Sequence, residues 1–309
     1  MDLRAAGAPD RRAASNDASG SAKEALARLP CASLALRGRE LTSLGAAWVD
    51  RFDIVVDDDA ELRDLIAKIH HAPLAATALM QLLRHSETLD VHEALIAESL
   101  VFSVLQAGPE FAAWVANAPP PKSGKPPLGP AVLAERRGDL VELTFNRPQR
   151  HNAFSAEMRD ALVEALRVVV GDHSIAEVVV RGAGPSFCSG GDLVEFGTHP
   201  DPATAHAIRS TRNAARLLAS CADRVRFEVH GACVGAGVEL PAFGAKVVAA
   251  EDAWFQLPEV GMGLVPGAGG TVSLPRRIGR QRTAKFALSG RRIDVETAQR
   301  WGLVDVIRR

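Results

Sequence analysis

The sequence contains no Cys-x-x-Cys pair. Its four cysteines, Cys31, Cys188, Cys221 and Cys233, lie scattered through 309 residues. Neither a zinc site nor a disulfide framework is signalled, and free thiols in a reducing compartment are the expectation. No apolar run approaches the ~20 residues that a membrane-spanning helix needs. The N-terminus lacks the apolar core of a secretory leader. Arg4, Arg11 and Arg12 among alanines and serines suggest a transit peptide, but Asp2, Asp10 and Asp17 count against one. The expected location is therefore cytoplasmic. An excess of one charge is missing as well: the net charge is -1, which gives no bulk electrostatic case for nucleic acid or an anionic membrane as partner. Three further absences exclude familiar chemistries. There is no G-x-x-x-x-G-K-[ST] phosphate loop, no H-E-x-x-H metal motif and no G-x-S-x-G elbow. Gly235-Ala-Gly237 fails as a dinucleotide fingerprint because Leu240 stands where the third glycine would be.

What is present is ordinary globular material: 47% hydrophobic and 24% charged, with a length that suggests about two domains. Residues 1–22 lack apolar periodicity and read as a disordered tail. Residues 23–118 read as a small helical domain. Asp57-Asp58-Asp59 opens one helix, with negative charge at the positive end of its dipole. Pro73 opens a second. A third runs from Asp90 to about Gln106, its second half apolar almost all round, as in a helix that is buried or forms an interface. Pro109 opens a fourth. The prolines of 119–130 make an extended linker. From residue 131 to 309 strands and helices alternate, which argues for an α/β domain. A hairpin is expected around Gly138-Asp139, a helix capped by Ser155, helices over 202–220 and 235–243, and strands over 176–181, 225–229, 246–250 and at 253–255.

Three glycine-rich turns organise this second part: Gly182 to Asp192, Gly231 to Glu239, and Leu257 to Gly270. Gly190 and Gly191 allow positive φ and close approach of backbone to a ligand, and Asp192 is placed to cap a following helix. Gly235-Ala236-Gly237 precedes helical residues, so free N–H groups point from a helix start. Two such donors aimed at one carbonyl oxygen would stabilise an oxyanion. Glu239 and Glu259 are carboxylates in otherwise apolar or glycine-rich surroundings, where burial raises pKa. Each has a plain alternative, Glu239 as a first-turn helix acid and Glu259 as a loop surface residue.

Leu143-Thr-Phe-Asn-Arg-Pro148 with His151-Asn-Ala-Phe154, Ser186 to Leu193, Val229 to Leu240, Phe255 to Thr271, and Leu288 to Ile293 with Gly302-Leu-Val-Asp305 together resemble the enoyl-CoA hydratase/isomerase (crotonase) superfamily over residues 132–307. The resemblance implies a crotonase-like spiral of ββα units preceded by the helical N-terminal domain. It implies an acyl-CoA-transforming enzyme, with hydration of a 2-enoyl-CoA foremost. Isomerisation, thioester hydrolysis or decarboxylation remain alternatives within the family, and a non-catalytic CoA-binding relative outside it. Gly191 and Ala236 match the oxyanion N–H donors, and Glu239 and Glu259 the two glutamates that hold a water. Arg150, Ala153, Asp192 and Leu193 match the CoA-binding region, with Arg147 as another candidate for a CoA phosphate. No bound cofactor or metal is implied; coenzyme A is part of the substrate, and a homotrimer or hexamer is the expected assembly. Family members usually continue for some fifty residues beyond the Gly-Leu-Val-Asp motif, with helices that cover the ligand. The expectation here is that residues 57–117 cap the site or supply that packing. Phe154, Phe196 and Trp254 are the candidate pocket walls.

Overall fold

A computed structural model describes residues 24–37, 48–118, 129–198 and 201–309. The expected tail and nearly all of the Pro-rich linker lie outside the described residues.

After a helical turn at 24–27, two short strands pair in parallel, β1 (Leu34–Leu36) and β2 (Ile54–Val56). Four helices follow: α1 (Asp59–His71), α2 (Pro73–Ser86), α3 (Val91–Gln106) and α4 (Pro109–Asn117). Each start has a local cause. Asp58 accepts the Glu61 N–H at the head of α1, and Asp90 and Glu93 form a reciprocal capping box on α3. The opening N–H groups of α2 are capped from a distance: Leu74 N and Ala75 N donate to the Glu110 carboxylate of α4. The second half of α3 is not buried all round. Leu95, Ser99 and Leu105 face inward, whereas Ile96, Leu100 and Val104 form an exposed stripe at i, i+4, i+8.

The hairpin of β3 (Val132–Arg137) and β4 (Leu140–Phe145) opens the larger sheet, and β4 alternates its buried residues Val141, Leu143 and Phe145. Helix α5 (Ala156–Gly171) starts at Ser155, which accepts the Met158 N–H, and buries Met158, Leu162, Leu166 and Val169. β5 (Glu177–Gly182) has Val178, Val179 and Val180 wholly buried, as expected of a strand covered on both faces. The helix expected over 202–220 is two, α6 (Pro202–Thr211) and α7 (Ala214–Ser220). Asn213 breaks it, because its extended backbone and its side-chain bond to Arg216 N start a new helix.

β6 (Val225–Val229), β7 (Ala232–Val234) and α8 (Ala236–Glu239) form one ββα unit, and β8 (Lys246–Ala250) and β9 (Trp254–Gln256) begin the next. The helix expected to reach Phe243 stops early. Pro241 has no N–H to continue the ladder, so a 3-10 turn follows α8. The chain ends with α9 (Gly270–Ile278), α10 (Arg280–Ser289), β10 (Ile293–Asp294), α11 (Val295–Trp301) and β11 (Val306–Arg308). The six-stranded sheet runs β11-β8-β6-β5-β4-β3, and a three-stranded sheet runs β10-β9-β7. Successive strands of each unit thus enter different sheets, which is the expected spiral. One continuous hydrophobic cluster joins Leu79, Met80, Leu95 and Phe111 of the N-terminal helices to Leu166, Val180, Val238 and Val272. The N-terminal helices therefore share their core with the sheets.

Candidate active site

The three glycine turns stack on one another. Cys188 N donates to Ala232 O at 3.1 Å and Val234 N to Cys188 O at 2.9 Å, which ties the first turn to the second. At Gly237 a Cβ would stand 2.4 Å from the Cys188 carbonyl oxygen, so only glycine permits this approach. Gly235 has φ of 50°, a left-handed conformation that favours glycine. The stacked turns bring Gly191 and Ala236 to the wall of one cavity of about 510 Å³. Among the described residues neither of their N–H groups finds a protein acceptor.

Glu239, on α8, is 2% exposed. Its Oε2 accepts the N–H groups of Ala268 at 2.7 Å and Gly270 at 2.9 Å. Glu259 opens the 3-10 turn Glu259–Met262. Its Oε2 is buried and has no hydrogen-bond partner among the described residues. The two carboxylates converge over Gly235: a Cβ there would lie 2.5 Å from Glu259 Oε1 and 3.8 Å from Glu239 Oε1. Burial pushes Glu239 well above the ordinary carboxylate range, and the neighbouring charges of Glu259 and Glu98 push it further. Burial, helped by the charge of Glu98, raises Glu259 to about 7. Glu239 does stand in the first turn of its helix, as its plain alternative has it, but it is buried there; the buried Oε2 of Glu259 departs from the loop surface residue of its own.

Sequence reasoning missed a third carboxylate. Glu98 of α3 is 3% exposed and reaches the same cavity. Its Oε1 accepts Gly269 N at 2.7 Å, and its Oε2 accepts Thr271 N at 2.9 Å and Thr271 Oγ1 at 2.6 Å. Four successive N–H groups, from Ala268 to Thr271, thus alternate between Glu239 and Glu98. Burial raises Glu98 to about 7 against the lowering effect of those bonds. The missed signal was a lone acid on the inward face of α3, among Leu95, Phe102 and Leu105.

The N-terminal helices also close the cavity. The Phe102 ring lies against Gly267, where a Cβ would be 2.3 Å from it, and Phe111, Trp114 and Phe196 form an aromatic cluster. Phe154 and Phe196 line the cavity as expected. Trp254 does not; it lies on β9 under the Arg292 guanidinium, 3.9 Å from the ring centroid.

The four CoA-region residues sit together at one edge. Arg150 pairs with Asp192 at 3.1 Å, Ala153 N donates to Arg150 O, and Leu193 is exposed. Asp192 caps no helix; its Oδ1 accepts Val194 N in a tight turn. Arg147 is buried and committed to Glu157 and to the carbonyls of Gly129, Pro130 and Asn146. It has no N–H directed to a ligand phosphate.

Residues 135–308 match the sequence profile of the family described as Enoyl-CoA hydratase/isomerase, more than half of the chain. The chain belongs to the enoyl-CoA hydratase/isomerase family. This member is 36% identical over 177 residues to an Escherichia coli 1,2-epoxyphenylacetyl-CoA isomerase, covering 56% of this chain and 68% of the relative. It is 37% identical over 173 residues to the 2,3-dehydroadipyl-CoA hydratase of the same organism, covering 56% and 67%. Among solved structures, an enoyl-CoA hydratase from Mycobacterium smegmatis aligns with a TM-score of 0.53 at 32% identity, covering 58% of this chain and 70% of that one. One from Thermoplasma volcanium gives 0.54 at 31%, covering 58% and 72%. The family member is an acyl-CoA-transforming enzyme of hydratase or isomerase type with the crotonase fold. Its helices α1 to α4 precede the matched residues, so Glu98 comes from outside the family match. Among the described residues no helix is long and apolar enough to cross a membrane.

Proposed function

We propose that this family member hydrates a 2-enoyl-CoA thioester and catalyses the reverse dehydration. One observation carries the reading: Glu239 and Glu259 converge over Gly235, in the cavity whose wall Gly191 and Ala236 also form, with N–H groups that find no acceptor among the described residues. The thioester oxygen lies between those two donors. As water adds at C3, negative charge moves onto that oxygen, and the donors are already in place to receive it. One such donor is typically worth about 3 kcal/mol of transition-state stabilisation.

The carboxylates supply the protons. With both pKa values raised and the two groups interacting, the pair shares one proton near neutral pH, and hydration draws on the form in which Glu259 carries it. Glu239, held by Ala268 and Gly270, keeps Oε1 free to take the proton that water loses as its oxygen bonds to C3. Glu259, with Oε2 unpartnered, gives its proton to C2. The sum is H and OH added across the double bond, with the pair's proton count unchanged. Isomerisation moves a proton between two carbons and needs one carboxylate; the convergence of two favours water as co-reactant. Arg150, Ala153, Asp192 and Leu193 form the edge along which the CoA moiety lies.

The test is hydration of a short 2-enoyl-CoA by the wild type and by Glu239→Gln and Glu259→Gln. Each variant should lose at least about a hundredfold in kcat, as removal of a general acid or base does. Full activity in either variant sinks the assignment of that residue.

A further inference from the structure

The cavity carries a guanidinium that the proposed hydration leaves without a task. Arg209, on α6, is half-buried and lines the cavity. Its hydrogen bonds go only to neutral oxygens, Gln106 Oε1 at 3.1 Å and Ser103 Oγ. Its Nε is buried without an acceptor. Its guanidinium carbon lies 4.8 Å above the Phe102 ring. Among the described residues no carboxylate lies within ion-pair distance of it. The nearby acid Glu98 has both oxygens committed to the 269–271 backbone. Buried charges are ordinarily paired, because desolvation without a partner is costly. The other two arginines on this wall have protein partners: Arg159 pairs with Asp160, and Arg212 with Glu164. Burial lowers Arg209 to about 10 against the raising effect of the Glu98 charge, with the positive charge of Arg159 adding to the lowering, so it remains charged near neutral pH.

The position of Arg209 indicates which part of a ligand would meet it. Arg209 rests on Phe102, Phe102 on Gly267, and the loop after Gly267 holds Glu239. Arg209 therefore belongs to the glutamate side of the cavity. The Arg150–Asp192 edge belongs to the first turn, beside Gly191.

We propose that Arg209 receives a carboxylate at the far end of the acyl chain, so that the substrates are CoA thioesters of dicarboxylic acids. The proposal rests on the reading of this cavity as the acyl-CoA site. An Arg fork matches a carboxylate in two parallel hydrogen bonds. The same chemistry would fit a CoA phosphate, and the test separates the two sources.

The experiment is calorimetric binding of saturated acyl-CoAs, about four to eight carbons long, in matched pairs ending in a methyl or a carboxylate. At the best length the wild type should bind the carboxylate-ended ligand at least about tenfold more tightly. Arg209→Gln should bring that ratio to about one, and Arg209→Lys should retain part of it. A ratio near one in the wild type overturns the proposal. So does an unchanged ratio in Arg209→Gln with both ligands weakened alike, the signature of a phosphate contact. If Arg209→Gln does not fold, the wild-type ratio and Arg209→Lys decide. Saturated ligands cannot be hydrated, so this result stands apart from the hydratase test.

Discussion

Replacing Glu98 should damage stability and activity together, because one side chain holds the loop that holds Glu239. Glu98→Ala leaves Gly269 N, Thr271 N and Thr271 Oγ1 buried without acceptors. Each orphaned donor costs about 1–3 kcal/mol, so the gross loss is about 3–9 kcal/mol. Part of it is offset. Glu98 titrates near 7 in the folded protein, and a shift of that size corresponds to about 3 kcal/mol between its two protonation states. A carboxyl with a raised folded pKa favours the folded state fully below its unfolded pKa. That contribution fades as pH rises through about 7. The net cost of Glu98→Ala should therefore be about 3 kcal/mol smaller near pH 7 than near pH 4.5. Glu98→Gln can keep its amide oxygen toward Thr271 but then faces Gly269 N with a second donor, so it loses one acceptor and about 1–3 kcal/mol. Denaturant titrations at the two pH values measure these differences. In turnover assays kcat should fall more than KM rises, since Ala268 N and Gly270 N shift relative to Glu239. A Glu98→Ala protein with wild-type stability at both pH values and wild-type kcat would refute the reasoning.

Three other outcomes follow from the geometry. Gly237→Ala places a Cβ 2.4 Å from the Cys188 carbonyl, a backbone collision that should lower the melting temperature and abolish hydration. The pH profile of kcat should lose activity on its alkaline side as the last proton leaves the Glu239–Glu259 pair, above the ordinary carboxylate range because both are raised; Glu98→Gln removes a neighbouring negative charge and should move that limb down. Asp53→Asn should cost about 3–5 kcal/mol in a denaturation series, because Asp53 is 1% exposed and its loss leaves Arg84 without its carboxylate and Arg280 with Glu87 alone.

Local signals in the sequence were sufficient wherever a residue acts on its own neighbourhood. Asp58, Asp90 and Ser155 cap the helices they precede, Pro73 and Pro109 open theirs, and β4 alternates as its pattern requires. The family motifs singled out Gly191, Ala236, Glu239 and Glu259, and the stacked turns bring all four to one cavity. Glu98 was not, because its partners lie more than a hundred positions away and an acid within an apolar helix face has no local signature for what it meets. Arg147 and Trp254 failed for the same reason. A buried guanidinium satisfied by carbonyls and an indole covered by Arg292 look, in sequence, like any arginine or aromatic near a site. The break at Asn213 was a local signal overlooked: an Asn three residues before Arg216 N is an N-cap.

A device used twice explains how the cover reaches the site from the N-terminal side. Asp305 precedes β11 and accepts Val247 N at 2.6 Å, just before the first pair of the β8–β11 ladder, and it binds Arg277. Asp53 precedes β2 and accepts Ser33 N at 2.8 Å, just before the first pair of the β1–β2 ladder, and it binds Arg84 and Arg280. The surrounding residues repeat as well. Ala35-Leu-Arg-Gly-Arg39 and Ala287-Leu-Ser-Gly-Arg291 stand at the same offset before their aspartates. The resemblance places ligand-covering helices after the Gly-Leu-Val-Asp motif. In this chain the helices that bring Glu98 and Phe102 to the cavity follow the first copy, the Phe52-Asp-Ile-Val-Val56 segment. Arg280 fixes that copy to the head of α10, and Glu98 fixes α3 to the head of α9. Two buried carboxylates, each at a helix start, set where the N-terminal helices sit. The positive end of the α9 dipole favours Glu98 there, and the guanidinium of Arg280 favours Asp53. Glu98 and Asp53 thus tie the N-terminal helices to the starts of α9 and α10, alongside the hydrophobic core that those helices share with the sheets.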